Sequence, residues 1–243
     1  MEKKLDIVIT MAGLGSRFKK AGYNVPKYMI EARGKTLFEW SMTSLSGYQP
    51  IVEQFIFIVR KEDQPLKFIK SACEKLGIKK HHVIEIDYLT DGQATTALLG
   101  REVWNKDNGL LIYNIDTYVE AGNLTYKELK GSGFIPCFEG EGDHWSFVKL
   151  NESGKAVEVR EKVRISNFCT LGAYYFNSCR LYENLYEQYY STRENLERGE
   201  KYVAPLYNYL IKQGKDVFIS IVDCNAIHVL GTPEELEDFL QNA

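Results

Sequence analysis

Residues 7–27 read IVITMAGLGSRFKKAGYNVPK. The apolar run from Leu5 to Thr10 reads as a buried strand, and it stops at Met11. Ala12, Gly13, Leu14, Gly15, Ser16 and Arg17 follow as a small-residue loop that ends in a cation. A second cation, Lys27, comes after a spacer and directly behind Pro26. A loop with few side chains lets backbone N–H groups approach an anion closely, and two cations offset its charge. A triphosphate is the ligand that uses both features.

Working outward, the first half of the chain alternates strand and helix. A short strand is expected at Tyr28–Ile30 and a helix over residues 36–46. Gln54–Val59 reads as a buried strand, and residues 63–76 carry apolar side chains at helical spacing. Val83–Ile86 and Leu110–Asn114 read as strands, with a helix over Gln93–Val103 between them. Strands alternating with helices imply an α/β fold built on a mixed, mostly parallel sheet flanked by helices. The second half leans antiparallel, with strands at Phe134–Phe138, Phe147–Leu150 and Leu171–Phe176 and an alternating stretch at Val157 and Val159. Helices follow over 178–190 and 203–212, with a strand over Val217–Val222. The charged segment 191–200 reads as a mobile connection. Thr232, Pro233 and Glu235 mark the start of a last helix, with Glu235 completing a capping box on Thr232.

The bulk properties exclude several classes. At 243 residues, 44% of them hydrophobic and 26% charged, the chain fits one globular α/β domain. The net charge of −3 gives no electrostatic reason to expect nucleic acid or an anionic membrane as partner. No apolar run is long enough to span a bilayer, and the N-terminus reads as a strand and not as a signal peptide, so a cytoplasmic location is expected. The five cysteines, Cys73, Cys137, Cys169, Cys179 and Cys224, are scattered, which suggests packed reduced thiols and neither a zinc site nor a disulfide framework.

A glycine turn alone is a weak signal. Here AGLGSRF is followed by PKYMIEARGKTLFEW, then in order by DGQATTALL, NID, VREK, LGAYYF and LGTPEEL. In these motifs the chain resembles the nucleotidyltransferase family of sugar-1-phosphate pyrophosphorylases and related cytidylyltransferases, from Ile7 to Phe239. It is not a Walker A loop, because no Lys-Ser/Thr follows the second glycine at the required spacing.

The resemblance implies a GT-A-like, Rossmann-like fold. It also implies one domain over 1–243, with a nucleotide-binding half over about 1–120 and an acceptor-binding half over about 121–243. Ala12, Gly13, Gly15 and Ser16 would meet the nucleotide, and Arg17 and Lys27 would hold the outer phosphates. Gly92 and Gln93 would lie at the base or ribose, and Asp116 would hold Mg²⁺ against the phosphates. Lys162 would meet the phosphate of the second substrate, with Glu161 and Gly172 beside it. Lys19, Lys20 and Lys35 read as solvated.

The reaction implied is attack by an acceptor phosphate on the α-phosphorus of a nucleoside triphosphate, with release of pyrophosphate. CTP is slightly favoured, and a role in capsule or surface-polysaccharide precursors is expected, as is a possible homo-oligomer. One departure stands out. Where the family often has a second metal-binding Asp, this chain has Val229, with Asp223 and His228 nearby. A glycosyltransferase on the same architecture and a nucleotide-sensing domain without catalysis are the alternatives.

Overall fold

In the computed structural model, which describes residues 3–197 and 199–242, the first strand, β1 (Leu5–Met11), runs one residue past the apolar stretch that predicts it. There follow α1 (Ser16–Lys20), the short strands β2 (Glu31–Ala32) and β3 (Lys35–Thr36), α2 (Leu37–Thr43), β4 (Val52–Arg60), α3 (Leu66–Lys75) and β5 (His81–Ile86). Next come α4 (Gln93–Leu98), β6 (Gly109–Asn114), β7 (Thr117–Val119), β8 (Gly133–Glu139), β9 (Ser146–Leu150), β10 (Ala156–Glu161), β11 (Phe168–Thr170) and β12 (Ala173–Phe176). The chain ends with α5 (Cys179–Tyr189), α6 (Leu206–Lys212), β13 (Val217–Ile221), β14 (Ile227–Val229) and α7 (Pro233–Asn242).

Among the described residues ten strands form one mixed sheet, in the order β10-β9-β11-β8-β12-β6-β1-β4-β5, with β13 beside β8. The block β6-β1-β4-β5 is parallel throughout. From β12 outward the pairings on this path are antiparallel, and β13 adds a parallel strand to β8. Helices cover both faces, so β1 is mostly apolar and β4 is apolar from Phe55 to Val59. Asp6 lies fully buried in β1. Its carboxylate accepts hydrogen bonds from Gln54 Nε2 (3.1 Å), Asn105 N (2.7 Å) and Asn108 Nδ2 (2.9 Å), which ties the turn before β6 to β1.

The strand expected at Tyr28–Ile30 is instead a 3-10 turn over Lys27–Met29. Pro26 is extended (φ −53°, ψ 143°), and its carbonyl takes the Met29 N–H at 2.8 Å, so the backbone is satisfied locally and needs no neighbouring strand. A hairpin follows at once, β2 and β3 turning through Arg33 and Gly34, both at positive φ (50° and 77°), as a two-residue turn of this kind requires. The strand expected over Leu171–Phe176 breaks at Gly172 (φ 85°), leaving β11 and β12 on either side. Thr36 and Glu39 form the capping box of α2. At α7, Thr232 Oγ1 accepts the Glu235 N–H (3.2 Å), but the Glu235 carboxylate reaches back one residue further than expected, to the Gly231 N–H (2.9 Å). Residues 193–195 form a 3-10 turn and Glu197 bridges Glu200, within the segment expected to be a mobile connection; Arg198 of that segment lies outside the described residues.

A small third core, Phe18, Ile30, Ala32, Leu37, Leu230, Leu236 and Phe239, clamps α1, the hairpin and α7 together. Apart from Ala32, each of these buried side chains contributes on the order of 1.5–3 kcal/mol. That clamp holds the first turn of α7 against the region just after β1. Of the five cysteines, Cys73, Cys137, Cys169 and Cys179 are buried and Cys224 is exposed.

Candidate active site

The C-terminal ends of the parallel strands open into a cavity of about 330 Å³. Its walls include Ala12, Gly13 and Gly15 from the loop after β1, Lys27, Gly92 and Gln93 at the start of α4, and Asp116 just beyond β6. Gly15 sits in the left-handed region (φ 60°, ψ 28°), which turns the loop into α1 without a steric penalty. Pro26 delivers Lys27 into the cavity, where its Nζ lies 2.8 Å from Asp116 Oδ2. Burial pushes the Asp116 carboxyl up, but Lys27 and, more weakly, Arg17 outweigh it and hold the group below the usual carboxylate range. Gln93 Nε2 donates to Thr10 Oγ1 (3.1 Å) and to Asn114 Oδ1, fixing its amide across the ends of β1 and β6.

A second cavity, about 250 Å³, adjoins the first and shares Gln93, Asn114 and Asp116 with it. Arg17, Trp145, Ser146, Glu161, Gly172 and Tyr202 stand on its other sides. Glu161 accepts from the Ser146 hydroxyl, and Lys162 Nζ donates to Tyr202 OH at 3.1 Å. Gly172 is required twice over. Its φ is positive, and a Cβ there would lie 2.5 Å from Asn114 Nδ2.

Tyr202 reaches this cavity through a tie to α4. Ala94 N donates to Lys201 O (3.0 Å), Lys201 N donates to Asp91 O (2.8 Å), and Lys201 Nζ pairs with Asp91 Oδ2 (2.8 Å). At Gly92 (φ 140°) a Cβ would sit 2.3 Å from Lys201 O, so only glycine allows the approach. Burial raises the Asp91 carboxyl, and the bonds from Lys201 and Thr95 bring it below its ordinary value.

Ala12, Gly13, Gly15, Lys27, Gly92, Gln93 and Asp116 are therefore brought together, and Arg17, Glu161 and Gly172 meet Gln93 and Asp116 in the second cavity. Arg17 and Lys27 face different cavities and converge only on Asp116. Ser16 is exposed and lines neither, while Lys162 stands behind Tyr202. Lys19, read as solvated, lines the first cavity, as do Tyr28 and Asp63, whose side chains are joined by a 3.3 Å hydrogen bond. Burial raises the Asp63 carboxyl. Its position just after β4, at the same sheet edge as Asp116, was the available signal. Trp145 and Tyr202 carry no local signal at all.

Asp116 offers carboxylate oxygen to both cavities, the donor chemistry that Mg²⁺ takes. Beside it a Cβ on Gly231 would lie 3.3 Å from Glu235 Oε2 and 3.4 Å from Asp116 Oδ2, so the glycine leaves a gap walled by carboxylates. The site fits a hard cation. Among the described residues no three His, Cys, Asp or Glu side chains converge as a metal cluster. Asp223 caps the turn at Cys224–Ala226 through Asn225 N (2.9 Å), and His228 stacks on Tyr118 and faces Glu120. No helix among the described residues is long and apolar enough to cross a membrane.

No protein-family model and no curated protein sequence matches the chain. Solved structures do. The nucleoside-diphosphate-sugar pyrophosphorylase from Vibrio cholerae RC9 is 37% identical, with a TM-score of 0.90, over 97% of this chain and 100% of that one. The inositol-1-phosphate CTP transferase of T. maritima shares the fold at 16% identity and a TM-score of 0.74, over 100% of this chain and 98% of its own. So does the CTP:phosphocholine cytidylyltransferase of Streptococcus pneumoniae, at 17% identity and a TM-score of 0.73, over 98% of each chain. With a likeness of the first kind running nearly end to end, this chain belongs to the nucleotidyltransferase family.

Proposed function

We propose that the protein transfers a nucleoside monophosphate from an NTP, CTP in the first instance, to a phosphorylated small acceptor such as a sugar phosphate, releasing pyrophosphate. The observation that carries this reading is Asp116 standing on the wall common to both cavities, paired at 2.8 Å with Lys27. The first cavity is walled by residues between Thr10 and Asp116, which supports a nucleotide-binding half over about 1–120. The second draws Trp145 to Glu235 from the rest of the chain, which supports an acceptor-binding half over about 121–243. In this reading the triphosphate lies along Ala12, Gly13 and Gly15, with Lys27 on its phosphates.

Arg17, reaching Asp116 from the acceptor side, meets the charge that develops where the two substrates join. Fixed cations of this kind do most of what phosphoryl-type transfer needs, which is positioning and charge stabilisation. The attacking acceptor phosphate is already ionised at neutral pH, so no general base is called for. Lys162 acts through Tyr202 at the edge of the acceptor cavity, and Glu161 and Gly172 shape its wall. Asp116 would hold Mg²⁺, which when bound neutralises phosphate charge. The product would be an activated group for capsule or other surface-polysaccharide assembly, made in the cytoplasm.

The test is pyrophosphate release with each NTP, Mg²⁺ and a panel of phosphorylated sugars, alcohols and amines. Release with one NTP and one acceptor class is the expected result. Tight NTP binding with no release on any acceptor would replace the transferase by a nucleotide sensor.

A further inference from the structure

At the position where the family often has a second metal-binding Asp this chain has Val229, and the fold places Glu235 in the same cavity as Asp116. We propose that Glu235, from the first turn of α7, supplies that second carboxylate beside Asp116; the proposal rests on the nucleotidyltransferase reading. Val229 lies in β14 opposite Thr117, and the next residue, Leu230, donates its N–H to the Asp116 carbonyl at 2.7 Å. The backbone is therefore in place for a ligand at position 229, but a valine side chain has no donor atom. One step on, Gly231 has no side chain, and across it Glu235 Oε2 and Asp116 Oδ2 face one gap. Glu235 lines the same cavity as Asp116, whereas Asp223 and His228 do not.

Three features suit Glu235 to the task. Its carboxylate is oriented by the Gly231 N–H (2.9 Å), leaving other lone pairs for a ligand. Among the described residues it has no Lys or Arg ion-pair partner, unlike Asp116. The helix that bears it is fixed by Leu236 and Phe239 in the small core with Phe18 and Leu37. Two carboxylates completed by phosphate and water oxygens are a usual complement for Mg²⁺, so a third side chain is unnecessary. The ligand has moved from a strand to the following helix, and the glycine between them makes room for it.

The experiment measures Mn²⁺ uptake by electron paramagnetic resonance in the presence of α,β-methylene-CTP, and of the corresponding analogues of the other NTPs. Glu235→Gln keeps an oxygen for the Gly231 N–H, so the helix cap survives. It should weaken Mn²⁺ binding to the protein–nucleotide complex by about tenfold or more, with an unchanged melting temperature. Gly231→Ala, which puts a methyl group into the gap without demanding a glycine-only backbone, should do the same. Adding Val229→Asp to Glu235→Gln should recover wild-type Mn²⁺ affinity. Unchanged Mn²⁺ affinity in Glu235→Gln overturns the proposal while leaving the enzyme reading intact. A wild-type protein that takes up no Mn²⁺ with any analogue overturns the nucleotide reading and this proposal together.

Discussion

The two cavities meet at Asp116 but are made in different ways. The first is largely local: a strand end, a glycine loop and a cation behind a proline lie between Thr10 and Lys27, with Asp63 from beyond β4, the start of α4 and the end of β6 added by the parallel sheet. The second is assembled from β9, β10, the break between β11 and β12, the segment at Tyr202 and the first turn of α7. Its shape depends on ties over long sequence distances, above all Asp91 to Lys201 and Gly172 to Asn114. The comparison teaches that the charge placement of the first cavity, which we propose takes the triphosphate, is built into a motif, whereas the second cavity, which we propose takes the acceptor, is a product of packing.

The sharpest way to break that comparison is Lys27→Ala. On the first-cavity side it should lower pyrophosphate release by about a hundred- to a thousandfold, as loss of a preorganised charge-stabilising group does. The ion pair is partly solvated, so stability should change by no more than about 1 kcal/mol. Activity and a urea melt on the same sample check both halves; retained turnover would remove Lys27 from the mechanism. Gly92→Ala probes the long-range tie. Its Cβ would collide with the Lys201 backbone, and a loss of about 1–3 kcal/mol is expected in urea titration, with KM rising for the NTP, whose cavity Gly92 lines, and for the acceptor through the displaced Lys201–Tyr202 segment. An unchanged acceptor KM would mean that the tie does not shape the second cavity.

Asp91→Ala is the milder version, removing the half-exposed ion pair and the acceptor of the Thr95 hydroxyl while leaving the backbone hydrogen bonds of Lys201. A cost of about 0.5–1 kcal/mol and a few-fold rise in acceptor KM are expected. The smallest effect concerns pH. Asp116 titrates in the folded protein below its ordinary value, so its stabilising contribution is present at neutral pH, above the unfolded-state value, and fades as pH falls through the lower folded-state value. Melting temperatures taken from pH 7 downward should fall slightly more steeply in the wild type than in Asp116→Asn; parallel curves would show that the Lys27 pair contributes nothing to folding.

Much of the parallel half was readable. The strands β1, β4 and β6 each carry an unbroken apolar stretch, Ile7–Ile9, Phe55–Val59 and Leu110–Tyr113, and a strand buried on both faces has little polar alternation to confuse the pattern. Tyr28–Ile30 misled because a short apolar triplet behind a proline can satisfy its backbone in a local turn as well as in a ladder. In the Leu171–Phe176 run, Gly172 was the only mark of a break, and the reason for it, Asn114, lies on another strand. Lys19 is exposed, as a solvated lysine is expected to be, and its place at the rim of the first cavity arises only once α1 has formed.

Residue order along the chain was enough for the glycine loop, the cation behind Pro26, the carboxylate beyond β6 and the alternating α/β plan, since each depends on neighbours a few positions away. Tertiary structure alone decided that Arg17 and Lys27 line different cavities, that Tyr202 lines the second, and that Glu235 lines that same cavity with Asp116. Those facts depend on packing between elements up to the length of the chain apart, in which a buried Phe239 or a missing Cβ at Gly231 sets a distance that no local pattern encodes.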